Sequence, residues 1–318
     1  MSSTLILAKR ELIDRVQSTH VLALLVAYVV VSVGYGWFSY ISFVAALHPP
    51  QIPGNPTIIG AVVPPPSMSL LINVGNVYSF GALLAFAVSF DCICSEKVSK
   101  SLALLSALPI SRGSILKGKL LGISSLVIPI GTTLPVAAIA FSLSLQRELN
   151  LNMLPRIASL ALIAALYLLL WLCFAVFISS ITSNPASSLA LCFATWILFQ
   201  SRFIGTMLPV LITATYFPGQ ALVVLAASNN TAFFSLNRIV ASLIPPFSLL
   251  HATYGYYQFT DFFTTSMSNF SYSNYILNSA RPYLSWLQFA WADLAILLAS
   301  IIVLTAATLF FFNRSDIV

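Results

Sequence analysis

Long apolar runs separated by short polar stretches dominate the chain. No Asp, Glu, Lys or Arg occurs between Arg15 and Asp91, or anywhere in residues 157–201. A helix needs about 20 apolar residues to cross the hydrocarbon core of a bilayer, and prolines and Asn-Pro turns divide longer runs. The pattern predicts an all-α integral membrane protein with six transmembrane helices. Their expected positions are about 20–46, 69–91, 118–144, 157–182, 186–208 and 285–311.

The distribution of basic residues predicts the orientation of these spans. Residues 203–227 are apolar enough for a further span, but prolines interrupt them. With six spans, the N-terminus, the 91–119 loop and the C-terminus share one side, which holds nine of the 14 Lys and Arg residues. The positive-inside rule makes that side cytoplasmic. Residues 203–283 then form a large external region, in which Asn229 and Asn269 begin glycosylation tripeptides.

Residues 3–17 are predicted to form an amphipathic helix before the first span. One face groups Leu5, Ala8, Leu12 and Val16 at helical spacing. The opposite face groups Lys9, Arg10, Asp14 and Gln17. Glu11 can pair with Arg15 one turn later. A helix of this kind lies in the plane of the membrane interface, so membrane lipid is an expected partner.

Composition excludes several classes of protein. Of the 318 residues, 59% are hydrophobic and 7% are charged, whereas a soluble domain carries roughly 25% charged residues. The net charge of +6 comes from scattered cations, too thinly spread for a nucleic-acid groove. A cytosolic enzyme, a disordered chain, a disulfide-stapled secreted domain and a nucleic-acid-binding protein are therefore not expected.

No catalytic or metal site is predicted. Cys92 and Cys94 are closely spaced, but no further Cys or His lies near them to complete a zinc site. We expect the cysteines to be small core residues. The three histidines, His20, His48 and His251, are scattered without a nucleophile nearby, which disfavours a membrane enzyme.

Asp293 is the only carboxylate within a predicted span. Buried carboxylates in lipid are costly and are usually paired or functional. Arg202 is a plausible partner by depth, with Arg281 and Arg238 as alternatives. A structural pair near the outer interface is the preferred interpretation, and a proton or substrate contact is the alternative.

The 91–119 loop is the most informative stretch. After Asp91, a short helix is predicted over residues 98–108, and Pro109 ends it. Its apolar face groups Val98, Leu102, Leu105 and Leu108. An amphipathic helix between two spans is well shaped to dock into a groove of a partner protein. The alternative is a basic loop that contacts anionic lipid.

This loop resembles that of ABC-2 type permease subunits, the membrane halves of ABC exporters. Their pattern is close to D-x-I-x-x-E-K/R-x-x-G-T/S-L-x-x-L-L-S-x-P-I/V-S-R, followed by G-K at the next span. The matching residues are Asp91, Ile93, Glu96, Lys97, Ser101, Leu102, Leu105, Leu108, Pro109, Ser111, Arg112, Gly118 and Lys119. Lys100 stands where the family usually has Gly. Elsewhere, Lys9, Arg10, Glu11 and Leu12 look like the family's elbow helix.

The resemblance implies a homodimer or heterodimer of six-span permeases in the cell membrane, bound to separate ATPase subunits. ATP and magnesium would bind in those subunits, and this chain itself would need no cofactor. Closure of the ATPases would push the predicted coupling helix between spans two and three. The ATPase-coupling residues implied are Glu96, Lys97, Val98, Leu102, Leu105, Leu108 and Arg112.

Two further features bear on function. Gly113, Gly118 and Lys119 match a phosphate-loop pattern, but Leu120 stands where Ser or Thr must hold magnesium, so no ATP site is expected here.

The predicted spans offer few polar groups, which favours a hydrophobic or amphipathic cargo such as a lipid, drug or peptide. An ATP-independent transporter or channel is the alternative to an ATP-driven exporter.

Overall fold

A computed structural model of the protein describes residues 3–47, 77–101, 111–146, 154–200 and 282–314. Within these ranges the chain is helical apart from short turns, and it forms no strand. The helices are α1 (Ser3–Gln17), α2 (Thr19–Leu47), α3 (Ala82–Ser89, entered through a π-helical turn at Val77–Gly81), α4 (Cys94–Val98), α5 (Arg112–Gln146), α6 (Leu154–Ile181), α7 (Pro185–Gln200) and α8 (Tyr283–Arg314). The predictions for residues 48–76, 102–110 and 201–281 lie outside the described residues.

Three of the described helices are long and apolar enough to cross a membrane, over Arg112–Thr133, Leu154–Ile181 and Ala290–Arg314. A fourth candidate is the bent pair Thr4–Gln17 and Thr19–Gly34, whose axes differ by 73°. Because a helix satisfies its own backbone hydrogen bonds, it can cross the hydrocarbon core where no water is available. The chain is thus a multi-pass helical membrane protein.

Helix α6 is the centre of the bundle, and α3, α5, α7 and α8 pack around it. Its Leu168 lies between two glycines on neighbouring elements. A Cβ atom at Gly131 would lie 2.1 Å from Leu168 Cδ1, and one at Gly81 would lie 2.8 Å from Leu168 Cδ2. The missing side chains therefore let α5 and the start of α3 approach α6 closely, as small residues do in membrane bundles.

Aromatic side chains of α3, α6 and α7 pack together in the same core. Trp171 on α6 meets Phe86 edge-on, with 5.0 Å between ring centroids, and Phe199 with 5.6 Å. Edge-to-face contacts of this kind place the positive ring edge against a negative ring face. They fix the packing of α7 against α6.

Helix α1 has the predicted bounds, and the side that it turns toward α5 is partly charged. Glu11 is buried against α5, with Arg15 one turn further along the same side. Of the predicted apolar face, Leu12 is partly buried, whereas Leu5 and Val16 are about half exposed. The predicted polar face is exposed, namely Lys9, Arg10, Asp14 and Gln17. The buried charges of Glu11 and Arg15 are stabilised by ionic partners on neighbouring elements.

Candidate functional site

A chain of ion pairs joins three separate elements on the side predicted to be cytoplasmic. Arg15 of α1 binds Asp91, which follows α3, with 2.5 Å between Nη1 and Oδ1. Arg15 Nε also lies 3.0 Å from Glu11 Oε1, as the spacing in α1 predicts. Lys119 of α5 completes the chain, with its Nζ 3.0 Å from Glu11 Oε2 and 2.7 Å from Glu96 Oε1 of α4. Negative and positive groups alternate throughout.

Two central members of this chain of ion pairs are buried. The side chains of Lys119 and Glu11 are 7% and 11% exposed. Burial by itself raises the pKa of Glu11, but the neighbouring charges of Lys119 and Arg15 outweigh it and hold that pKa below its usual value. Removing one member would leave its buried neighbour with one counter-charge fewer, which is destabilising. The charge chain therefore holds α1, α4 and α5 in one arrangement.

Two glycines of α5 bring α1 close enough for these contacts. A Cβ atom at Gly118 would lie 2.7 Å from Leu7 Cβ, and one at Gly122 would lie 2.7 Å from the carbonyl oxygen of Ala8. The spacing Gly-x-x-x-Gly is the small-residue pattern that lets two helices touch backbone to backbone. Gly118 and Lys119, which also fit part of a phosphate-loop pattern, thus serve helix packing and ion pairing in this structure.

The turn after α3 is bound to the end of α6 through a serine hydroxyl. Ser179 Oγ accepts hydrogen bonds from the backbone N–H groups of Ile93 at 3.0 Å and Cys94 at 3.1 Å. The same hydroxyl donates to Cys94 Sγ at 3.4 Å. These N–H groups begin α4 and have no partner within it, so the serine supplies the missing acceptor. Helix α4 is therefore anchored at its start to α6.

Further contacts fix the other end of α4 and the beginning of α7. Lys97 Nζ donates to the backbone carbonyls of Ser180 and Thr182, where α6 ends. A cation at a helix C-terminus satisfies its free carbonyls and complements the helix dipole. Ser188 Oγ of α7 donates to the carbonyl of Phe90 at 2.6 Å. The turn between α6 and α7 and the segment 90–97 therefore form one connected unit.

Helix α4 lies before the helix predicted for this loop and shares only Val98 with it. It ends at Val98, and Lys100 follows with φ 58° in the left-handed region. The predicted single helix over 98–108 is therefore wrong at its first residues, because a left-handed residue ends an α-helix. Lys100 occupies the position where the resembling family usually has Gly. Gly adopts this conformation without the steric cost that a Cβ atom adds.

The structure places the predicted coupling residues in different environments. Glu96 and Lys97 face inward onto α5 and α6, whereas Val98 is 62% exposed. Arg112 Nη1 donates to the carbonyl of Asn313 at 3.0 Å, which ties the start of α5 to the end of α8. Leu102, Leu105 and Leu108 lie outside the described residues.

The remaining predicted residues are also separated. On α1, Lys9 and Arg10 are exposed, Glu11 is buried and Leu12 is partly buried. Asp293 is buried on α8, a helix that packs against α6. Its expected partner Arg202 and the glycosylation candidates Asn229 and Asn269 lie outside the described residues.

Sequence reasoning missed that Arg15, Asp91 and Lys119 act together. Each was visible as a charge beside a predicted span, and charges at such positions are usually paired. Their pairing was hidden because the partners come from distant parts of the chain. Ser179 and Ser188 lie in a serine-rich turn, and nothing in the sequence distinguished them from the other serines there.

The similarity to known proteins agrees with the resemblance of the 91–119 loop. The family model described as "ABC-2 family transporter protein" matches residues 5–317, nearly the whole chain. No curated protein sequence matches the chain significantly.

Proposed function

The chain belongs to the ABC-2 transporter family, and from this premise we propose that it is the permease subunit of an ATP-driven exporter powered by a separate ATPase subunit. The family's members are membrane components without an ATPase domain of their own. The finer proposal concerns how such a partner would act on this chain and what it would move.

The observation that carries this proposal is the connection of segment 90–98 to four helices. Through Glu96 and Asp91 it binds α5 and α1, and through Lys97 and Ser179 it binds α6. The bond between Phe90 and Ser188 adds α7. A force applied by a partner to this one segment would therefore reach the whole cytoplasmic end of the bundle.

In this proposal, α1 is the elbow helix, and the coupling surface begins at exposed Val98 and continues into residues 102–108. Glu96 and Lys97 act as positioning residues, since they bind other parts of the same chain rather than a partner. The permease forms a homodimer or heterodimer with six spans per subunit. Its N- and C-termini are cytoplasmic, and it resides in the cell membrane.

The proposed cargo is a hydrophobic or amphipathic molecule such as a lipid, drug or peptide. The basis for it is the apolar character of the spans. Export by alternating access or lateral opening would follow when ATP closes the two ATPase subunits and displaces the coupling surface.

Replacing Leu105 with Asp tests the ATPase partnership. An unpaired charge in an apolar docking groove is costly, so Leu105→Asp should leave the permease inserted but remove the co-purifying ATPase subunit. Lys100→Glu is the matched control, because it changes an exposed residue of the same loop, and it should retain the ATPase. Equal retention by both variants would refute coupling through this loop and leave ATP-independent transport as the better account.

A further inference from the structure

The outward side of α1 carries several exposed apolar residues. Only Ser18 separates α1 from α2, and the two axes differ by 73°. A helix that bends this far from a membrane-entering helix is expected to run along the bilayer surface. The exposed apolar residues of α1 are Leu5 at 51%, Ile6 at 56%, Ile13 at 42% and Val16 at 48% exposure.

Lys9 lies in the middle of this apolar side. At 100° per residue, its direction falls between those of Val16 and Ile13 on a helical projection of α1. Lys9 is exposed and makes no ion pair with any residue that the structure describes. Its neighbour Arg10, by contrast, pairs with Asp14 at 3.7 Å. Among the described residues, no carboxylate compensates the positive charge of Lys9 on this apolar side.

Lys117 occupies a comparable position on α5. It is exposed, and Leu121 follows it one turn later with 50% exposure, which marks the lipid-facing side of that helix. The next residue, Gly118, is the point at which α1 touches α5. Among the described residues, Lys117 also lacks an ion-pair partner. Both lysines therefore stand where an apolar, outward-facing surface meets the cytoplasmic side.

We propose that Lys9 and Lys117 are the basic groups of a binding surface for anionic phospholipids. A lysine at such a depth lays its methylene groups along the acyl region and reaches the lipid phosphates with its ammonium group. Each lysine close to an anionic surface is expected to strengthen the binding of anionic lipid by about 5-fold. The apolar residues of α1 accept any acyl chain, so the selectivity for anionic headgroups comes from the two lysines.

The charge chain connects this lipid surface to the rest of the protein. Glu11 and Arg15 lie on the opposite side of the same helix and connect it to Lys119 and Asp91. Lipid bound to the outer side of α1 would hold the helix against α5. This inference needs only α1 and α5, and it stands independently of the proposed ATPase partnership.

Native mass spectrometry of the full chain, purified without any ATPase subunit, tests the inference. The chain is equilibrated in micelles with equal amounts of phosphatidylglycerol and phosphatidylcholine, and retained lipids are counted. The wild type should prefer phosphatidylglycerol, and Lys9→Gln with Lys117→Gln should lower that preference by about 25-fold, as two such lysines predict. Lys9→Arg with Lys117→Arg should keep the preference, because the charges remain.

The matched control is Lys100→Gln, which removes one charge from an exposed lysine that also lacks an ion-pair partner among the described residues. It should leave the lipid preference unchanged. An unchanged preference in the double Gln variant would overturn the inference. A loss of about 5-fold in Lys100→Gln, the effect expected of one charge, would do the same, because it would show a response to net charge alone. Size-exclusion elution confirms that each variant is folded.

Discussion

Lys119 on α5 donates a hydrogen bond of 3.0 Å to Glu11 on α1, although 108 residues separate them in the chain. The contact is possible because Gly118 and Gly122 let the two helices touch. Lys119 reaches Glu96 at the same time. A single ammonium group therefore holds helix α1 and the loop between α3 and α5 against the start of α5.

The pair formed by Glu11 and Lys119 should show strong energetic coupling. In Glu11→Gln, Lys119 keeps only Glu96, and in Lys119→Gln, Glu11 keeps only Arg15, so each variant should lower the free energy of unfolding by up to about 3–5 kcal/mol. The double variant should cost clearly less than the sum, which a double-mutant cycle in urea measures. The exposed pair Arg10–Asp14 is the control, with expected coupling below about 1 kcal/mol. Additive losses at Glu11 and Lys119 would show that the buried contact does not stabilise the protein.

Glu11 should also make stability depend on pH in the acidic range. Its pKa in the folded protein lies below the ordinary 4.5, so its contribution is fully present above that pH and is lost as the pH falls through the folded value. The difference in thermal midpoint between wild type and Glu11→Gln should therefore shrink as the pH is lowered below about 4.5. A difference that stays constant between neutral and strongly acidic pH would contradict the assignment.

The glycine contact between α1 and α5 should not tolerate a methyl group. In Gly118→Ala the new Cβ would lie 2.7 Å from Leu7 Cβ and 3.2 Å from the carbonyl oxygen of Thr4. We expect a loss of about 1–3 kcal/mol in the free energy of unfolding. Gly113→Ala on the same helix is the matched control, since its nearest neighbour, Leu309 Cδ2, is 3.9 Å away. If the two variants unfold alike, the close approach of α1 is not what the structure indicates.

Replacing Lys100 with glycine is expected to stabilise the protein. With φ 58°, its Cβ atom is in the sterically unfavourable left-handed region, and Lys100→Gly should raise the free energy of unfolding by about 1 kcal/mol. Ser99→Gly is the control, because Ser99 has φ −78° and gains nothing from glycine. Thermal unfolding of the two variants measures the contrast. A destabilised Lys100→Gly would mean that the turn has another conformation.

Local features of the sequence were enough to predict much of the architecture. The apolar runs predicted helices, and the spacing within α1 predicted both its bounds and the contact between Glu11 and Arg15. Periodicity repeats along one helix, so it carries no information on which distant charges meet. The contacts of Arg15 with Asp91 and of Lys119 with Glu11 therefore required the structure.

The same limit explains the buried side of α1. The amphipathic pattern predicted an apolar face for the membrane interface, but it carried no information on which charges turn toward the protein. Glu11 and Arg15 do so because ion pairs with other parts of the chain stabilise them there, while Leu5 and Val16 stay exposed. The break at Lys100 was equally hidden, because the apolar spacing of Val98 and Leu102 continues across it.

Site-specific photocrosslinking in whole cells tests the central claim most directly. A photoreactive residue replaces either Ser99, which is exposed beside Val98, or Ser285, which is exposed at the opposite end of the helical bundle. The account predicts that Ser99 captures a subunit that mass spectrometry identifies as an ABC ATPase, and that Ser285 does not. Capture of no ATPase from Ser99, or equal capture from both positions, would contradict a coupling surface on this loop.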